Sequence, residues 1–313
     1  MEIWQTILQA RQELNKSKGT TVITIGNFDG VHRGHQQIMR QTVELARQHD
    51  SLAVVLTFKA HSDGLVGEQP LLLNTPSLRQ GLLAREGIDR LLEVEFDRNF
   101  AALEAEVFFQ TWIEEGLHAK GLVVGYDFRF GAGRRGDYQL LKSLGKEQRI
   151  QIEQVSPVYE AGELISSSKI RQLLAEGQTD LANRMLGYAF AIEGKVIEGE
   201  QLGRKLGFPT ANVYLEPQYL LPCYGVYLVR LIEDTRSFFG VANVGIKPTF
   251  GKYLPLVEVY LFDVEVNLYG HFVQIEFLKF IRPENRFSGP EALKGQIARD
   301  VAAAKGYLDQ MFS

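Results

Sequence analysis

Four strand-length apolar runs separated by helical stretches, then five such runs with only turns between them, constrain this chain more than any other feature. Thr21–Ile25, Leu52–Phe58, Arg90–Phe96 and Leu122–Gly125 are rich in Val, Ile and Leu. Runs that are apolar on both faces suit a parallel sheet covered by helices. Thr75 and Pro76 supply a helix start ahead of Leu78, Leu82 and Leu83, and Phe100–Glu115 shows helical spacing before stopping at Gly116. Strand and helix in alternation predict an open α/β sheet. After Gly187 the texture changes. Tyr188–Val196, Gly225–Leu231, Phe238–Val244, Leu256–Phe262 and Phe272–Phe280 follow one another as strands, and Pro290–Met311 returns to helical periodicity. That pattern predicts an antiparallel barrel or sandwich with a C-terminal helix. Two domains are expected, residues 1–187 and 188–313.

Composition excludes several classes. The chain has 313 residues, 45% hydrophobic and 23% charged, enough apolar material for two cores without a metal or disulfide staple. With 34 basic and 38 acidic residues the net charge is -4, so no wholesale attraction to nucleic acid or anionic membrane is expected. The single cysteine, Cys223, cannot form an internal disulfide and points to a reducing compartment. No apolar stretch has the length of a spanning helix, and Met1–Lys18 lacks the pattern of a secretion signal. A soluble cytoplasmic protein is the expectation, with the oligomeric state left open.

Gly26-Asn27-Phe28-Asp29-Gly30-Val31-His32-Arg33-Gly34-His35 follows the first strand and opens the next helix. Small residues let backbone N–H groups approach a phosphate, and the helix start adds partial positive charge. His32 and His35, three apart, can both face that phosphate and stabilise charge as it builds. The plainer reading is a glycine turn with one histidine capping the helix.

The string resembles the HxGH signature of the nucleotidylyltransferase superfamily. In the form GNFDGVHRGH it is similar to the adenylyltransferase half of bacterial bifunctional riboflavin kinase/FMN adenylyltransferases, the FAD synthetases. Gly125-Tyr126-Asp127-Phe128-Arg129-Phe130-Gly131 and the Gly133-Arg134-Arg135-Gly136 loop resemble the family's GxDFxFG stretch, which implies flavin contacts for Asp127, Phe128 and Arg134. Ile165-Ser166-Ser167-Ser168-Lys169-Ile170-Arg171 resembles its ISSTxIR segment. It implies phosphate contacts from Ser166, Ser167 and Ser168 and charge stabilisation by Arg171. Thr57-Phe58-Lys59-Ala60-His61-Ser62 resembles TFxPHP without either proline, and keeps His61 as a phosphate contact. The resemblance also gives Gly26, Asn27, Phe28 and Gly34 to the ATP phosphates.

Gly203-Arg204-Lys205-Leu206-Gly207-Phe208-Pro209-Thr210-Ala211-Asn212 resembles the flavokinase signature. By that resemblance Gly203, Lys205, Gly207, Pro209 and Thr210 hold ATP phosphate, and Thr210 and Asn212 offer hard oxygen ligands to Mg²⁺. A turn with a local Asn hydrogen bond is the alternative. Glu258 sits in the apolar run Val257–Leu261 and matches the family's general base, although the alternation also fits an outward-facing strand residue. Arg282 has two readings, a contact to the new phosphate or a salt bridge.

Together these features imply a nucleotidylyltransferase-type α/β domain followed by a flavokinase-type barrel, with ATP as co-substrate and Mg²⁺ as cofactor. The implied chemistry is riboflavin to FMN, then FMN to FAD with loss of pyrophosphate. Two rivals stand beside it: a flavokinase with weak or lost adenylyltransferase activity, motivated by Ala60 and Ser62, and a non-catalytic flavin- or nucleotide-binding regulator.

Overall fold

The computed structural model describes residues 1–59, 70–198, 207–249, 252–264 and 266–312. His61, Gly203 and Lys205 lie outside the described residues. The chain divides into two compact units, residues 1–70 with 76–166, and residues 71–75 with 167–313.

In the first unit the elements run β1 (Glu2–Trp4), α1 (Ile7–Ser17), β2 (Thr21–Ile25), α2 (Arg33–Gln48), β3 (Leu52–Phe58), α3 (Pro76–Arg85), β4 (Arg90–Val94), α4 (Arg98–Ala101), α5 (Ala105–Phe108), β5 (Ala119–Gly125), α6 (Tyr138–Gln148) and β6 (Gln151–Val155). A short hairpin of β7 (Tyr159–Glu160) and β8 (Glu163–Leu164) follows. Six strands form one parallel sheet in the order β1-β4-β3-β2-β5-β6. Successive strand residues point to opposite faces. Ile23, Val54, Leu92 and Leu122 enter one apolar core with Trp4, Leu14 and Phe109. Their neighbours Val22, Val55, Leu91 and Val123 enter another with Met39 and Leu45.

Two strands of this sheet, β1 and β6, carry no long apolar run, and the sequence pattern does not single them out. The expected single helix over Phe100–Glu115 is instead broken into α4 and α5, and continues as a π-helical turn over Phe109–Glu114. Leu103 and Glu104 interrupt it where the Leu103 carbonyl accepts the Ala132 N–H at 2.7 Å.

The second unit holds α7 (Ser167–Ala175), α8 (Thr179–Leu186), strands β9 (Ala191–Ile197), β10 (Thr210–Tyr214), β11 (Gly225–Glu233), β12 (Arg236–Thr249), β13 (Lys252–Leu261) and β14 (Phe272–Pro283), and α9 (Pro290–Phe312). The strands close into an antiparallel barrel, β10-β13-β12-β11-β14-β9, with β9 pairing back to β10. Closure leaves no sheet edge. α9 covers one outer face, with Val301 and Ala304 against Val226, Leu228 and Val241. Val213, Val244, Val257 and Val259, at 0–1% exposure, are the alternate residues that fill the interior.

This unit starts before the texture change at residue 187 because α8 is pinned to the barrel. The Asn183 side chain donates to the Phe277 carbonyl at 2.9 Å and accepts the Phe190 N–H at 2.7 Å. Residues 71–75 belong to the same unit. Leu72 exchanges two 2.8 Å backbone hydrogen bonds with the Gln218–Leu220 segment, Leu73 is buried, Asn74 meets the Tyr188 hydroxyl at 3.3 Å, and the Thr75 hydroxyl donates to the Glu193 carboxylate.

Candidate functional site

The strand order of the first sheet reverses direction beside β2. The chain steps from β2 to β3 and β4 on one side, then returns to place β5 on the other. Ligands of open α/β sheets bind at such a switch point, beyond the carboxyl ends of the strands. The loops that leave β2 and β5 there are Gly26–His32 and Gly125–Gly131.

The first loop is tightly built. The Gly26 N–H donates to Leu56 of β3 at 3.2 Å, and the Val31 N–H to Phe28 at 3.2 Å. Gly30 has φ 82°, but Phe28 (48°) and Val31 (34°) also take the left-handed region, where a non-glycine residue is strained. The Asn27 carbonyl is held by the Thr57 hydroxyl at 3.2 Å and by an Arg79 Nη at 3.4 Å.

His32 caps α2, its Nδ1 accepting the His35 N–H at 3.3 Å, which places its own proton on Nε2. The His32 and His35 rings stack at 3.6 Å between centroids, and Phe28 meets the His35 ring edge-on at 5.2 Å. A Cβ at Gly34 would come within 3.2 Å of the His32 ring, so glycine is what admits the stack. Burial lowers the His32 pKa to about 4, and burial together with the neighbouring His32 holds His35 well below the ordinary range. Both rings are therefore neutral hydrogen-bond donors near pH 7. Preorganised donors of this kind are suited to stabilise charge that develops on a phosphoryl oxygen.

After β5, the Phe128 N–H closes a turn onto the Gly125 carbonyl, and the Phe128 and Phe130 rings stack at 5.7 Å. Asp127 and Arg134 are exposed beyond this turn. Gly131 has φ 72° and lies where a Cβ would meet the Ala105 backbone at 2.7 Å. Ser166 ends the first unit, whereas Ser167, Ser168 and Arg171 open α7 in the second. Arg171 Nε donates to the Leu71 carbonyl at 2.8 Å.

The barrel holds a separate constellation. Thr210–Tyr214 is a strand, not the turn that is the alternative reading of its motif. Its register pairs Asn212 with Glu258 of β13, and Glu258 in turn with Asn243 of β12. Directly paired residues share a face, so Asn212, Glu258 and Asn243 form one row on the outer side, two residues from Thr210 on that same face. The row continues through Val226 to Arg282 on β14. Glu258 thus faces outward as the alternation allows, yet it stands among polar partners and only part-exposed. A cavity of about 670 Å³ opens beside Gly207, Pro209, Thr210, Asn212, Asn267 and Tyr269, a size usual for small-molecule sites. Gly207 turns at φ 87° on its rim.

Arg282 forms a salt bridge across to α9. Its Nε and one Nη fork onto Asp300 at 2.9 and 2.7 Å, and the other Nη donates to the Pro283 carbonyl at 2.9 Å. This salt bridge ties β14 to α9. Arg79 has no motif around it that flags it in the sequence; only the fold brings it to the first site.

Comparison with known proteins gives a separate match for each half of the chain. A family model described as FAD synthetase matches residues 14–169, and one described as Riboflavin kinase matches residues 186–308. The bifunctional riboflavin kinase/FMN adenylyltransferase of Escherichia coli (strain K12) is 42% identical over 290 residues, covering 92% of each chain. That of Pseudomonas fluorescens is 39% identical over 286 residues, covering 91% of this chain and 92% of the relative. A crystal structure named as a macrolide-efflux protein from Streptococcus pneumoniae superposes with a TM-score of 0.85 at 31% identity, over 92% of this chain and 94% of that one. No helix among the described residues is long and apolar enough to cross a membrane. Both halves of the sequence, each matched over its own length and in the same order as in these relatives, place the chain in the bifunctional riboflavin kinase/FMN adenylyltransferase family.

Proposed function

We propose that the protein makes FAD from riboflavin in two ATP-dependent steps. In the first, the terminal hydroxyl of the riboflavin side chain takes the γ-phosphoryl group of ATP, giving FMN, ADP and a proton. In the second, an FMN phosphate oxygen attacks the α-phosphorus of another ATP, giving FAD and pyrophosphate. The observation that carries this reading is that each compact unit holds its own set of charge-handling groups: the stacked imidazoles in one, the Asn212–Glu258 pair in the other. The second step belongs to residues 1–187 and the first to residues 188–313.

Glu258 is the base that accepts the hydroxyl proton, a role worth about 10²–10⁴ in rate. Thr210 and Asn212, alternate residues of β10 beside Glu258, present hydroxyl and amide oxygens of the kind Mg²⁺ prefers, and these would hold the ion. When bound, Mg²⁺ neutralises charge on the ATP phosphates. Gly207 and Pro209 shape the cavity rim for the nucleotide, and the same reading gives Gly203 and Lys205 to its phosphates.

In the other reaction no base is required, because the FMN phosphate is already ionised near neutral pH. His32 and His35 donate hydrogen bonds to the oxygens of the transferring phosphoryl group, and the Gly26–Phe28 backbone and Gly34 allow its close approach. His61, Ser166, Ser167, Ser168 and Arg171 are assigned to ATP phosphate. Asp127, Phe128 and Arg134 are assigned to the flavin. Arg282, held beside α9 by Asp300, is assigned to the new phosphate of FMN.

The test is chromatographic. Purified protein with riboflavin, ATP and Mg²⁺ should yield FMN and then FAD. Glu258→Gln should stop FMN formation yet convert supplied FMN to FAD, and the double variant His32→Ala/His35→Ala should do the reverse. FMN as the sole product of the unaltered protein would overturn the second step.

A further inference from the structure

Arg79, one turn into α3, is placed in no motif, yet its guanidinium reaches under the first site. One Nη donates to Glu93 of β4 at 2.7 Å, the other to the Asn27 carbonyl at 3.4 Å, and both side chains of this ion pair are close to nine-tenths buried, at 12% and 13% exposure. Gln80 reaches the other Glu93 oxygen at 3.5 Å. The Arg79 Nε is buried and meets no hydrogen-bond partner, an expensive arrangement for a purely structural arginine.

We infer that Arg79, oriented by Glu93, is a positioning residue for FMN adenylylation: it fixes the Asn27–Phe28 peptide so that the phosphate-binding loop keeps its shape. The argument is geometric. In a trans peptide the carbonyl and the following N–H point in opposite directions. Arg79 and Thr57 pull the Asn27 carbonyl to their side, so the Phe28 N–H is aimed the other way. Phe28 and Val31 sit in left-handed backbone that persists only where the surroundings over-determine it. A charge-assisted hydrogen bond to the residue before Phe28 supplies such a restraint. His32 follows five residues after Asn27, so a slip there is carried into the imidazole stack.

This rests on the reading of the Gly26–His35 loop as the adenylyl-transfer site, and the chain contains its own control, the kinase reaction. In the full-length protein, Arg79→Gln should lower kcat for FAD formation from FMN by about 10- to 100-fold, the scale of a misplacement of about 1 Å. KM for FMN and for ATP should change less than threefold, and riboflavin phosphorylation in the same preparation should stay within about twofold. Arg79→Lys, which keeps the charge beside Glu93 but not the fork, should give an intermediate kcat. Glu93→Gln should move kcat in the same direction as Arg79→Gln. A kcat within twofold of the parent in Arg79→Lys and Arg79→Gln overturns the inference, as does a rise in KM with kcat unchanged. If Arg79→Gln fails to fold, the Arg79→Lys kcat alone decides. The double variant His32→Ala/His35→Ala separates the two claims. Should it too retain FAD formation, the site reading falls. Should it abolish FAD formation while Arg79→Gln and Arg79→Lys keep kcat within twofold of the parent, only the role of Arg79 falls.

Discussion

Lowering the pH should unfold the first unit through His32. The folded chain keeps this imidazole neutral down to about pH 4, because burial penalises its charged form. The unfolded chain protonates it near its ordinary pKa of about 6.5. Between those values the unfolded state binds a proton that the folded state refuses. Stability is therefore fully present above pH 6.5 and drains away as the pH falls towards 4. From these two pKa values the loss is about 2 kcal/mol between pH 7 and pH 5, and about 3 kcal/mol over the whole span. His35, pushed the same way, adds to the loss. His32→Asn removes this titration while keeping an acceptor suited to capping α2. The chain has two tryptophans, Trp4 and Trp112, both in the first unit, so urea unfolding followed by tryptophan fluorescence reports that unit alone. At pH 8 the variant can be less stable through lost packing; the slope is what counts. The gap between parent and variant should shift by about 2 kcal/mol in the variant's favour from pH 7 to pH 5. Parallel pH profiles would refute the claim that the buried ring is neutral.

Other outcomes follow from the same geometry. Asp300→Asn leaves the Arg282 guanidinium partly buried without its counter-charge; a loss of about 3 kcal/mol in the second unit is expected, read as faster thermal loss of FMN formation than of FAD formation from FMN. Gly131→Ala meets both the left-handed φ of 72° and the Ala105 backbone, and should lower the urea midpoint of tryptophan fluorescence by the equivalent of about 2 kcal/mol. Chelation of Mg²⁺ by EDTA should stop riboflavin phosphorylation, and Asn212→Ala should raise the Mg²⁺ concentration needed to restore it, measured by titrating the metal back at fixed ATP.

Much of this was legible before any coordinates. β2 and β3 coincide with the apolar runs because both of their faces are buried, which leaves a continuous signal. β6, whose residues Gln151, Ile152, Glu153 and Gln154 are exposed or only part-buried, gives no such signal. Thr210–Tyr214 carries no strand signal of its own because a strand on the outer barrel wall can carry Thr and Asn where the ligand is expected, which hides the alternation. The histidine pair was legible as a motif, whereas its stacking and neutrality depend on burial from Phe28 and the loop, a tertiary property. Arg79 had no local signal at all. Its partners Asn27 and Glu93 lie 52 and 14 residues away, and only the parallel sheet brings β4 and the β2 loop to the same helix.

The five residues Leu71–Thr75 have a consequence for anyone dissecting the protein. They complete the barrel half, yet a ribosome makes them long before any barrel strand. A gene cut at one point, wherever it falls between the halves, leaves that half without its borrowed segment, with the place of Leu73 uncovered and Glu193 and Tyr188 short of a bonding mate. The two reactions thus share an interleaved peptide, so a simple breakage of the reading frame cannot release the second unit whole.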